Sequence, residues 1–148
     1  MSDQELRDEL EIRNLVARYS DAVGRRDEKT WGATWATDGV WKVGPITATG
    51  RDEIVATWTR LMDTFRFVTQ HPTSGVVEIS GGDATGRWQV LELGWPASGD
   101  PTSTIGVYED RYHRTDEGWR FASRAFHIVY MGAPDLTGHL LGDPSAPV

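Results

Sequence analysis

From Asp3 to Val23 the apolar residues Leu6, Leu10, Leu15, Val16, Tyr19 and Val23 recur at intervals of three to five, which places them on one face of an amphipathic helix. Gly24 interrupts the pattern. Asp27 is placed to cap a second, short helix carrying Trp31 and Trp35, four apart and so on a shared face. Asp38-Gly39 reads as a turn and Val40 to Val43 as a strand. Pro45 and Gly50 bound a short extended piece, after which Asp52 is expected to cap a third helix bearing Ile54, Val55, Trp58, Leu61 and Met62. Beyond Phe65 the segments Phe67–Ile79, Ala84–Trp95, Thr104–Arg114 and Trp119–Tyr130 are rich in β-branched and aromatic residues. Gly81-Gly82-Asp83, the stretch Pro96–Ser103 and Asp116-Glu117-Gly118 separate them. These are consecutive antiparallel strands by pattern. Helices first and long strands afterwards make an α+β fold, with helices on one face of a curved sheet.

Composition narrows the function more than the fold. The 148 residues include seven Trp and no Cys, so thiolate chemistry and disulfides are excluded, while the aromatics suit a core or the walls of an apolar cavity. A net charge of −7 argues against nucleic acid and anionic membranes, whose recognition needs excess cation. The four His stand apart, with no pair four residues apart, and no phosphate loop or nucleophile elbow occurs. No metal and no cofactor are expected. The N-terminus lacks the apolar stretch of a signal peptide and no run approaches the ~20 apolar residues of a membrane span, so a cytoplasmic location is expected. A single domain over 1–148 follows, with its core at about 5–131 and a Pro- and Gly-containing extension from 132 to 148.

The segments IRNLVARYSDAV, TDGVW, the strand containing TQH, and GVYEDRYHRTDEGWRFASR, in that order, resemble the SnoaL-like branch of the NTF2-like superfamily. The resemblance runs from about Glu11 to Tyr130. It implies a cone-shaped fold, in which a strongly bent, mixed, mainly antiparallel sheet wraps a long helix around a cavity open at one end, and it implies a homodimer or higher homo-oligomer. Polyketide cyclases, dehydratases, a dehydrochlorinase, isomerases and an epoxide hydrolase share this fold. Several of them use a His-Asp pair to move a proton from carbon.

By this resemblance His71 is the proton-moving His, at the centre of the cavity, with Trp41 in the wall and Arg124 near the leaving group. Where the family carries its Asp, counting without gaps from Ile12 to Trp41, this chain has Gly24. Asp21 lies one turn earlier on the same helical face, so it is either the substitute that orients His71 or a solvated surface residue. Tyr19 falls where isomerases of the family place a Tyr against an oxyanion, and it is otherwise a core residue; the proton-transferring Asp of those isomerases is Val43 here. Tyr108, Asp110 and Tyr112 alternate onto one strand face. Tyr108 is expected toward the cavity, and Asp110 is expected as a buried acid or base, or as the ion-pair partner of Arg124. Phe126 and Ile128 share the face of Arg124 and would line the wall.

Together these imply a small-molecule pocket, and a cofactor-independent lyase or isomerase of dehydratase, cyclase or isomerase type acting on a small apolar, cyclic or polyketide-like substrate by His-mediated proton transfer. The alternative is a non-catalytic carrier of the same fold, which would show polar cavity groups paired with one another. A third reading, a partner-binding domain, would show a cavity filled by Trp.

Overall fold

The computed structural model describes residues 1–135 together with residue 139. Most of the extension expected over 132–148 lies outside the described residues.

The first helix, α1, spans Asp3–Arg25. Its start is fixed by a capping box, Ser2 Oγ accepting from the Glu5 amide at 3.2 Å and the Glu5 carboxylate accepting from the Ser2 amide at 2.7 Å, so two otherwise orphaned donors are satisfied reciprocally. It ends where Arg26 turns into the left-handed region, at φ 54°. Asp27 caps α2 (Glu28–Ala33) by accepting from the Thr30 amide at 3.0 Å. That helix is shorter than expected: Trp35 opens β1 (Trp35–Val43) instead of ending α2. Asp38-Gly39 is not a turn, since both residues lie inside β1, at an irregularity between Trp35 and Val40 where its pairing with the last strand slips. Next come β2 (Ile46–Thr49) and α3 (Arg51–Met62). Gly50, with no side chain to offer, occupies the cap position of α3, and Asp52 sits within its first turn, where a carboxylate favours the helix through the dipole and not as a cap.

Four long strands complete the fold: β3 (Phe65–Ser80), β4 (Asp83–Pro96), β5 (Thr102–Thr115) and β6 (Gly118–Gly132). The sheet order is β2-β1-β6-β5-β4-β3, every neighbour antiparallel except β1 against β6. This open, curved α+β sheet closes around α1 and α3. From α1, Ile12, Leu15, Val16, Tyr19 and Val23 enter one apolar core with Trp31, Trp35, Trp41, Trp58, Tyr108, Tyr112 and Phe121. Gly106 of β5 must lack a side chain, because a Cβ there would lie 2.1 Å from the Phe126 ring.

Asp8 is a buried polar tie between helix and sheet. Buried at 2% exposure, it accepts from Arg114 at 2.7 Å and from the Trp119 indole at 3.1 Å. The Arg114 hydrogen bond is the main reason its carboxyl is held down at about 2, against the opposing effect of burial. Among the described residues no helix is long and apolar enough to cross a membrane.

Candidate functional site

Helix α1, helix α3 and strands β1 and β3 to β6 enclose a cavity of about 190 Å³. Its walls are apolar: Trp41 and Val43 from β1, Trp58, Leu61 and Met62 from α3, Phe65 and Val68 from β3, and Phe126, Ile128 and Met131 from β6. Trp58 is braced from behind by Trp31, stacked at 4.6 Å and 12°. The volume exceeds the ~150 Å³ that holds a benzene and falls below the ~300 Å³ where drug-sized pockets begin. A wider groove, about 680 Å³, lies on the outer sheet face among Glu78, Arg87, Glu109 and Arg111; those side chains are exposed, so solvent screens their charges.

Polar groups enter the cavity from one side, where Gln70, Glu92 and Thr104 stand in register across β3, β4 and β5. The Gln70 amide nitrogen donates to Glu92 Oε2 at 2.7 Å and to the Tyr108 hydroxyl at 2.9 Å. Burial raises the Glu92 carboxyl above its ordinary value, and the Gln70 hydrogen bond only partly opposes this. Burial likewise pushes both cavity phenols up, Tyr108 well above the usual range, with Arg124 acting against the shift in each.

Behind the cavity wall lies a buried ion pair. Arg124, 1% exposed, donates from Nε and Nη2 to Asp110 at 2.9 and 3.2 Å. Its guanidinium carbon lies 3.6 Å from the ring centroid of Tyr108 and 4.2 Å from that of Tyr19. The carboxylate also accepts from the Tyr112 hydroxyl at 2.6 Å, which in turn accepts from the Trp88 indole at 2.9 Å. Burial raises the Asp110 carboxyl, and Arg124 and Tyr112 pull it down. A guanidinium that cannot lose its proton, bound through two charge-assisted hydrogen bonds, keeps the pair ionised.

The cavity thus gathers Tyr19, Trp41, Val43, Tyr108, Phe126 and Ile128. Arg124 and Asp110 support its wall as an ion pair and do not line it. His71 and Asp21 are elsewhere. His71 is exposed on the outer sheet face, its ring nitrogen 3.3 Å from the Thr69 hydroxyl. The cause is a bulge between Pro72 and Ser74. Beyond it the inward residues of β3 are Val77 and Ile79, whose alternation carried back would bring His71 inside; before it they are Val68 and Gln70. One inserted residue reverses the faces. Asp21 projects from α1 into solvent and pairs with Arg25 at 3.4 Å, so it does not substitute for the carboxylate absent at Gly24. Glu92 and Gln70 are the residues that sequence reasoning passed over. The available signal was weak: Glu92 is the sole charge in the run Val90–Trp95. Among the described residues no group of three or more His, Cys, Asp or Glu could hold a metal ion.

No curated protein matches the chain. Among solved structures, a hexachlorocyclohexane dehydrochlorinase, LinA type 2, superposes with a TM-score of 0.87 at 22% identity, over 95% of this chain and 99% of that one. The LinA-type3 dehydrochlorinase of Novosphingobium barchaimii LL02 gives 0.86 at 22%, over 95% and 100%. A protein of Novosphingobium aromaticivorans DSM 12444, provisionally named a scytalone dehydratase, gives 0.83 at 22%, over 92% and 93%. At these identities the likeness is one of fold, the NTF2-like fold. Residues 4–125 match the model of the SnoaL-like domain, and the chain belongs to that family.

Proposed function

We propose that the protein is a cofactor-independent lyase or isomerase acting on a small, single-ring substrate, with Glu92 as the group that moves the proton. One observation carries the reading: the Glu92 carboxylate lines an otherwise apolar cavity, and its described hydrogen-bond partner is a neutral amide. A carboxyl whose proton affinity is raised by burial is suited to exchange a proton with a bound substrate, and a positioned general base or acid contributes roughly 10²–10⁴ in rate. Tyr108, tied to the same Gln70 amide, is placed to donate to an oxygen or leaving group as charge develops there. The fold shared with the dehydrochlorinases supports the reaction class.

The test is deuterium exchange and elimination on a panel of small single-ring compounds carrying an acidic C–H beside a carbonyl or leaving group. Wild-type turnover that falls about 10²–10⁴-fold in Glu92→Gln and persists in His71→Ala is expected. Turnover that survives Glu92→Gln defeats the proposal.

The pairing of Glu92, Gln70 and Tyr108 with one another favours a second reading, a non-catalytic carrier of the same small ligand. Tight binding without exchange or elimination on any compound of the panel is its signature.

A further inference from the structure

The cavity carries charge of one sign. Among the described residues Glu92 is the one carboxylate that lines it, and no Lys, Arg or His does. Arg124, behind the wall, pairs with Asp110 through Nε and Nη2 and lies against the rings of Tyr19 and Tyr108, its Nη1 buried without a described partner. Those two rings already hold a guanidinium against them. Trp41, Trp58, Phe65 and Phe126 also line the cavity, and no Arg or Lys of the described residues stacks on them.

A carboxylate in an apolar enclosure is stabilised by an opposite charge brought to it. Electron-rich ring faces attract the same sign, most strongly from Trp and more when the cation is desolvated. Gln70 uses its amide nitrogen on both Glu92 and Tyr108, so it orients the carboxylate and does not neutralise it.

We infer that the cavity takes a small cyclic amine as its ammonium ion, with the N–H toward Glu92 and the ring against Trp41 and Trp58. The inference names the ligand class of the cavity assigned above and rests on that cavity being the ligand site, not on turnover. The proton balance is simple. An ammonium meeting ionised Glu92 brings no proton change, whereas a neutral amine meeting protonated Glu92 takes the carboxyl proton and leaves the same ion pair.

The groups facing Glu92 are Gln70 from β3, Thr104 and Tyr108 from β5 and Tyr19 from α1, with the Arg124–Asp110 pair behind; the lining residues of α3, β1 and β6 are apolar. Both phenols are raised above their ordinary value, and Glu92, itself raised by burial, is the lining carboxyl.

Calorimetry or protein-observed NMR with benzylamine, benzyl alcohol and benzoate separates the possibilities, since the three are close in size and differ in charge. Above neutrality benzylamine is expected to bind roughly tenfold or more tighter than benzyl alcohol, the equivalent of about 1.4 kcal/mol, with benzoate weakest. That preference should shrink as pH falls through the titration of Glu92, and vanish in Glu92→Gln while benzyl alcohol still binds, which also reports that the variant is folded. Benzyl alcohol or benzoate binding wild type as tightly as benzylamine, or an amine preference that survives Glu92→Gln, overturns the inference and leaves the cavity assignment standing. Binding of none of the three overturns both.

Discussion

Gln70 and Glu92 face each other across β3 and β4, the amide nitrogen 2.7 Å from the carboxylate oxygen, at the polar side of an otherwise apolar cavity. The pairing places a titratable group where water is scarce while giving it one neutral donor. Its proton affinity is therefore tied to the stability of the fold.

Because Glu92 binds its proton more tightly folded than unfolded, its favourable contribution is present below the unfolded value, near 4.5, and is lost as pH rises through the folded value. Glu92→Gln removes that loss. The variant is expected to match wild type in acid and to gain stability relative to it toward neutrality, measured by urea denaturation across pH.

Asp8 has the opposite sign. Its folded value of about 2 lies below the ordinary 3.8, so its contribution is present above 3.8 and lost as pH falls toward 2. Asp8→Asn should cost on the order of 1.5–3 kcal/mol at neutral pH, the range for hydrogen bonds to a charged group, and should flatten the acid limb of a stability profile.

Arg124 and Asp110 are both fully buried side chains. Arg124→Met alone leaves a buried carboxylate with only the Tyr112 hydroxyl and should cost about 3–5 kcal/mol. Arg124→Met with Asp110→Leu should recover much of that loss. A double-mutant cycle in urea gives the coupling; near-additive losses would show that the pair is not coupled as the geometry implies.

His71→Ala and Asp21→Asn touch exposed side chains outside the cavity. Each should change stability by no more than about 0.5 kcal/mol and leave ligand affinity unaltered. A tenfold loss of affinity in His71→Ala would place that ring at the site after all.

Much of the fold was legible because its signals are local. The helical spacing of Leu15, Val16, Tyr19 and Val23 is contained in a single segment, and so is the strand alternation that puts Tyr108, Asp110 and Tyr112 on one face. Boundaries were less legible where long-range pairing overrode propensity, as when β6 recruits Trp35 into β1, whose span then takes in Asp38-Gly39.

By itself the sequence determined the element order and the alternation within each uninterrupted stretch of strand, since these depend on neighbours one to four residues away; of the apolar face it assigned to α1, Leu6 and Leu10 stay exposed. Tertiary structure alone decided which residues meet in the cavity. A one-residue bulge between Pro72 and Ser74 turns Gln70 inward and His71 outward, and closure by α1 and α3 converts Glu92, a charge in a strand, into a desolvated one. Strand pattern has a period of two and carries no record of an inserted residue, and burial of a carboxylate depends on elements distant in the chain.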